Sequence, residues 1–203
     1  MTVEYTLVRG PRDVEQILAL QAENHRDTVD AATAQSDGFT SVRHEPAVLQ
    51  AMNRAHPSAI AVAGDVVAGY ALMMPQQFRD RVPLLEPMFS LFDRLEWRGA
   101  PLAGNPRWFV MGQVCVARAF RGQGVFDGVY HQLRDAYAPQ FDFVLTEVSQ
   151  NNKRSLRAHR RVGFETLHVY RDPAADDTWE VVVWDWRGEP VRGGGSDRGP
   201  GEN

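Results

Sequence analysis

Three groups of residues have the types and spacing to do chemistry. The first is Arg121-Gly122-Gln123-Gly124, which follows an apolar run ending at Val116 and precedes a helical stripe that begins with Val125 and Phe126. Glycines at a strand-to-helix turn let backbone N–H groups approach a ligand with no Cβ in the way. A helix start adds unpaired N–H donors and a partial positive charge, so turn and helix together suit a pyrophosphate. Arg121 brings a guanidinium able to pair with phosphate. A plain tight turn has the same local pattern. The second group is the basic run Lys153, Arg154, Arg157, Arg160 and Arg161. It reads as a solvated helix face, part of which can meet a phosphate. The third is Glu147, just beyond Phe143-Val144-Leu145. A carboxylate partly buried there has a raised pKa and can serve as a base; the plainer reading is a salt-bridged residue at a strand end. Cys115, the one cysteine of the chain, reads as a small core hydrophobe, since no histidine lies at a spacing diagnostic of an acyl-cysteine pair.

Other phosphate-binding patterns compete for the glycines. Gly99 and Gly104 have P-loop spacing, but Asn105-Pro106 stand where Lys and Ser or Thr are needed, and that reading fails. Gly122, Gly124 and Gly128 form a loosened dinucleotide fingerprint, with Glu147 at a suitable distance beyond it. A dinucleotide-binding strand runs almost directly into its first glycine, whereas Ala117 to Arg121 intervene here. An NAD(P)-binding oxidoreductase therefore stands as a distant alternative.

The elements that must position these residues are legible from periodicity. Val3 to Arg9 alternates as a strand, and Pro11 opens a helix carrying Val14, Ile17 and Leu18. Pro46 opens a second helix with Val48, Leu49 and Met52 on one face. Ser58–Ala63 and Val66–Met74 read as a hairpin about Gly64-Asp65. Trp108–Val116 is a buried strand. A helix follows with the stripe Val125, Phe126, Val129, Tyr130, Leu133 and Tyr137, stopped by Pro139. Phe141–Val148 is a strand, Asn152–Val162 a helix closed by Gly163, and Phe164–Arg171 and Trp179–Arg187 a final strand pair. The order is β-α-α-β-β, then β-α-β-α, then β-β. The central β-α-β implies a parallel strand pair with a crossover helix.

The run from Asn152 through Ser155 and His159 to Gly163-Phe164 resembles a segment of the GNAT acetyltransferase superfamily that ends in Tyr-x-x-x-Gly-Phe. Here His159 stands at the tyrosine position. Arg121 and Gly124 match the family's Arg/Gln-x-x-Gly-x-Gly/Ala motif, and Phe126 stands where Gly or Ala is usual. The two motifs lie in family order, and the resemblance extends from about Val3 to Arg187. It implies a mixed α/β fold: a strongly twisted sheet of about six to seven strands, a central parallel β-α-β and flanking helices. It also implies acetyl-CoA as cosubstrate, bound where two parallel strands splay, with no metal. The implied cofactor contacts are Val114, Cys115, Val116, Arg121, Gly122, Gln123, Gly124, Val125, Phe126, Asn152 and Ser155. Backbone N–H groups of Val114 to Val116 would hold the pantetheine and polarise the thioester carbonyl. Glu147 becomes the candidate base and His159 the candidate acid; a histidine on the helix surface is the plainer reading of the latter.

The chain has 203 residues, a formal net charge of -4 and a hydrophobic fraction of 43%. That suits a single domain with a real core and lacks the basic footprint of a nucleic-acid binder. No apolar run reaches the roughly 20 residues that span a bilayer, no signal stretch opens the chain, and the single cysteine fits a reducing cytoplasm. We expect one domain over 1–187, an insertion at 75–105 near the substrate site and a disordered tail at 188–203. His25 and His44 have no metal-ligand spacing and fall where the acceptor pocket is often walled in this family. The acceptor is expected to be an amine of a small molecule or peptide, with a homodimer left open. A non-catalytic acyl-CoA-binding module, acting as a sensor or interaction domain, is the main alternative, because Phe126 and His159 depart from the family pattern.

Overall fold

Strands that are apolar on both faces need helices above and below them, and this chain supplies helices on each side. The computed structural model describes residues 2–25, 27–28, 40, 42–173 and 176–188. Apart from Gly188, the expected tail lies outside them. In chain order the elements are β1 (Glu4–Leu7), α1 (Pro11–Asn24), α2 (Pro46–Ala55), β2 (Ala59–Ala63) and β3 (Val66–Met74). Two 3-10 turns, α3 (Glu86–Phe92) and the short hairpin β4 (Glu96–Trp97) and β5 (Ala100–Pro101) follow. Then come β6 (Trp108–Val116), α4 (Val125–Tyr137), β7 (Phe143–Ser149), α5 (Lys153–Val162), β8 (Glu165–Asp172) and β9 (Asp177–Asp185).

Seven strands form one sheet in the order β1-β2-β3-β6-β7-β9-β8. Only β6 and β7 run parallel; every other neighbouring pair is antiparallel. A doubly wound dinucleotide-binding sheet would be parallel through its core, so the oxidoreductase alternative falls here. The element order expected from periodicity is the one observed.

Helices α4 and α5 cover one face, where Val129, Leu133, Leu156 and Val162 pack on Phe109, Val144, Val182 and Trp184. The first turn of α4 lies against β3. A Cβ on Gly69 would sit 2.9 Å from Val125 Cγ1 and 3.0 Å from the Cys115 carbonyl, so only glycine lets the helix seat there. On the other face α1 packs through Val14, Ile17 and Leu20 against Ile60, Val62 and Leu72.

The inserted segment 75–105 extends this second face. Phe78, Val82, Leu85, Phe89 and Phe92 pack with α2 against Trp108, Val110, Leu145 and Val183. Trp97 Nε1 donates to Asp185 at 2.7 Å, pinning the small hairpin to the end of β9. Expected near the substrate site, the segment contributes no side chain to the cleft described below. Most of its large apolar residues are consumed in the core, Leu84 being the exposed exception.

Candidate active site

The site follows from a failure of pairing. β6 and β7 are in register only at Trp108/Phe143, Phe109/Val144 and Val110/Leu145. Beyond that point β6 stays bonded to β3 and β7 stays bonded to β9 as far as Ser149. The two strands therefore diverge as a wedge. Thr146 Oγ1 donates to the Met111 carbonyl at 3.0 Å and closes the apex. A bulge in β6, where Gly112 and Gln113 together face Leu72, bends that strand at the same level.

The bonding of β6 to β3 decides which backbone groups enter the wedge. Ala117 donates to the Ala68 carbonyl at 2.9 Å. Partners alternate along an antiparallel ladder, so Cys115 turns its N–H to β3 while Val114 and Val116 turn theirs away, toward β7. Of the three strand residues expected to serve a cofactor, two present backbone donors. Cys115 is buried beside Tyr70 and Leu72, and burial pushes its thiol up to about 11, which removes it as a nucleophile.

The glycine turn opens onto a cleft of about 480 Å³ between β6, α4 and α5. Gly122 has φ +75° and Gly124 has φ +79°, and a Cβ on either would meet only open space. Left-handed backbone explains the glycines, and the open space leaves the turn accessible. Gly124 caps α4, so the N–H groups of Val125, Phe126 and Asp127 open the helix without intrahelical acceptors. Arg154 and Arg157 of α5 line the same cleft and supply positive charge. Arg161 also lines it but is bidentate to Asp127, at 2.6 and 3.0 Å.

Two cofactor-site expectations at the turn change on inspection. The Arg121 guanidinium donates to the Val116 carbonyl at 3.0 Å and to Asn24 Oδ1 at 2.6 Å. It ties α1 to the end of β6 at the wall of the cleft, which Arg121 also lines. Gln123 is exposed and its amide donates to the Ala119 carbonyl, which stabilises the turn. Asn152 caps α5 by accepting from the Ser155 N–H at 3.1 Å, and both residues border the cleft.

A smaller recess of about 100 Å³ continues through the wedge, lined by Gln113, Glu147 and Trp179 among others. Glu147 follows Leu145 and Val110 on the face opposite α4 and α5. Burial raises its pKa, partly opposed by the Tyr170 hydroxyl, which donates to Glu147 Oε2 at 2.6 Å. Tyr170 was not marked by any sequence pattern; it reaches Glu147 across β9, a relation that strand pairing alone creates. Thr40 was missed for the same reason. It borders both cavities, and its buried hydroxyl has no hydrogen-bond partner among the described residues.

His159 requires the largest correction. It is 1% exposed, and burial depresses its pKa to about 4. Nδ1 lies 2.8 Å from the Ser155 carbonyl, which can only accept, so Nδ1 carries the proton. Nε2 then accepts from the Tyr130 hydroxyl at 2.7 Å. The ring is neutral near pH 7 and both nitrogens are engaged, so it is no imidazolium acid. Phe126 lies edge-on to it, with centroids 5.2 Å apart and planes at 85°. The two departures from the family pattern thus touch each other, the small imidazole leaving room for the large ring. His44 is likewise buried with its pKa depressed to about 4, and His25 lies beside Asp27. Neither borders the cavities. Among the described residues, no group of three His, Cys, Asp or Glu side chains is arranged to hold a metal, and no helix is long and apolar enough to cross a membrane.

Similar proteins share this fold. The family model for the acetyltransferase (GNAT) family matches residues 21–164. No curated protein matches the sequence. Among solved structures, a NatC complex bound to Gag peptide and CoA superposes with a TM-score of 0.59 at 14% identity, covering 91% of this chain and 99% of that one. A GNAT acetyltransferase from Streptococcus pneumoniae gives 0.58 at 10% identity, covering 90% and 98%. The ribosomal-protein-alanine N-acetyltransferase from Brucella melitensis gives 0.58 at 15% identity, covering 91% and 99%. At such identities the likeness is one of fold. With the family match extending over most of the chain, including the wedge, the glycine turn and α5, this protein belongs to the GNAT family of acetyltransferases.

Proposed function

We propose that this protein transfers an acetyl group from acetyl-CoA to a primary amine, the pantetheine arm lying in the wedge between β6 and β7. The observation that carries this reading is the end of strand pairing at Val110 and Leu145, which leaves the Val114 and Val116 N–H groups facing the gap. Half-buried backbone donors facing a gap offer bonds to a ligand, and pantetheine amides with a thioester carbonyl supply acceptors of the right kind. The pyrophosphate fits the Gly122–Gly124 turn and the start of α4, with Arg154 and Arg157 beside it. Glu147 borders the recess on the opposite face and accepts the proton an ammonium must lose before its lone pair attacks the thioester carbon. The C–N bond then forms, the C–S bond breaks and CoA departs as thiolate, while the second proton of the attached nitrogen passes to water to leave the neutral amide.

Small-molecule and peptide amines are both acceptors of this chemistry. The names of the NatC and ribosomal-protein-alanine relatives make peptides with free N-termini the first to try. The single cysteine agrees with a reducing, cytoplasmic setting. The test has two stages. Acetyl-CoA at 100 times its Kd should stabilise the fold by about 2.7 kcal/mol, read as a raised melting temperature. Release of free CoA is then followed with a panel of small amines and peptides. No thermal shift overturns the CoA site. A shift without CoA release from any amine favours the non-catalytic acyl-CoA-binding module.

A further inference from the structure

The departing thiolate needs a hydrogen-bond donor, and His159 is not it. If acetyl transfer is the reaction, the sulfur lies where the large cleft meets the recess behind it. Four residues border both: Thr40, Val114, Asn152 and Ser155. Val114 offers a backbone N–H from the β6 side, suited to the carbonyl oxygen. The Asn152 side-chain oxygen accepts in capping α5, which fixes the side chain at the helix start and leaves only its amide N–H groups as donors. Thr40 and Ser155 offer hydroxyls.

Ser155 is the oriented one. Its Oγ lies 3.2 Å from His159 Nδ1, and that nitrogen carries a proton because it also bonds the Ser155 carbonyl. Oγ is therefore the acceptor in the contact. Its own hydrogen, with no acceptor recorded among the described residues, is available to the junction that Ser155 borders on both sides. The Tyr130 hydroxyl, bonded to Nε2, locks the ring in the tautomer that enforces this direction. We propose that the Ser155 hydroxyl donates a hydrogen bond to the coenzyme A sulfur as the C–S bond breaks, and that His159 and Tyr130 are positioning residues that aim it. The sulfur keeps the bonding electron pair, Ser155 keeps its proton, and the thiolate becomes thiol by taking a proton from water.

The proposal rests on the acetyl-transfer reading, and binding measurements separate the two. Affinities for CoA and for desulfo-CoA, which lacks the sulfur, are measured by calorimetry at pH 9. A thiol with a pKa of about 8.5 is largely thiolate there. The wild-type protein should prefer CoA by about tenfold, the size expected for a hydrogen bond to a charged group. Ser155→Ala should bring that ratio to about one by weakening CoA about tenfold more than desulfo-CoA, while Ser155→Thr should keep the preference. Alanine suits the first turn of a helix, and the bond from the position 155 N–H to Asn152 is retained, so the variant folds. A preference that survives Ser155→Ala, or one abolished by Thr40→Val in its place, overturns the proposal. Tight binding of both ligands with no preference in the wild type sinks this proposal alone. Binding of neither sinks the acetyl-transfer reading and the proposal with it.

Discussion

Glu147 combines position and ionisation in a way a general base requires. It borders the recess behind the wedge, and burial raises its pKa from the ordinary carboxylate value. Glu147→Gln should lower the acetyl-transfer rate by about 10²-fold with acetyl-CoA affinity nearly intact. The loss should be clearest above the raised pKa, where the wild-type carboxylate is ionised. Kinetics across pH with any accepted amine check this; an unchanged profile would move the base elsewhere. The same burial has a cost in stability. A carboxyl whose folded pKa is raised contributes stability that is present below its unfolded pKa and lost as pH rises through the folded one. At pH 7 the ionised form burdens the fold, so Glu147→Gln should melt at a slightly higher temperature than wild type. Gln retains an oxygen that can accept from Tyr170, so the change isolates the charge.

At the scale of elements, the turn into α4 does two things at once. Its left-handed glycines redirect the chain from strand to helix, and they leave the backbone bare toward the cleft. Gly124→Ala should cost about 1–2 kcal/mol, because an L-residue at φ +79° is strained even with open space around its Cβ. That corresponds to a fall in melting temperature of several degrees for a domain of this size. CoA affinity should fall as well, by about tenfold or more, since the methyl group projects where phosphate must approach the N–H groups. Thermal melts and calorimetry on the same variant check both effects. A lowered melting temperature with unchanged CoA affinity would place the pyrophosphate away from this turn.

Across the whole molecule, two neutral histidines are folded into the interior. His44 and His159 are both held near pKa 4 by burial. The unfolded chain takes up their protons from about pH 6.5 downward while the native chain does not. Each group therefore makes stability fall with decreasing pH, by up to about 1.4 kcal/mol per pH unit, through the window from about 6.5 to 4. Asp185 acts in a lower window. Burial alone would raise its pKa, but hydrogen bonds from Arg187 and Trp97 hold it near 2. Its contribution is present above the unfolded carboxylate pKa and is lost as pH falls toward 2. Denaturant midpoints at pH 7, 5.5 and 4.5 should decline steadily, and a flat profile would mean that one or both histidines are charged in the native state.

The sequence by itself determined the elements and their order. Strand alternation, the helical stripe from Val125 to Tyr137 and the capping Gly163 are local signals that act within one or two turns of chain, so they survive without a partner in view. The glycine turn and the Asn152–Phe164 segment were legible for the same reason. Tertiary structure alone decided what the side chains do. His159 looks like an acid beside other cationic residues, yet complete burial holds its pKa near 4, and its Nε2 is occupied by Tyr130, 29 residues away. Arg121 looks like a phosphate ligand, yet it is bound to Asn24, 97 residues distant. The insertion at 75–105 has no periodicity that says where it packs, and folding sets Phe78, Val82, Phe89 and Phe92 against Trp108, Val110 and Val183 in the core. Ionisation, hydrogen-bond partners and burial all depend on groups brought close by folding, and no local spacing encodes them.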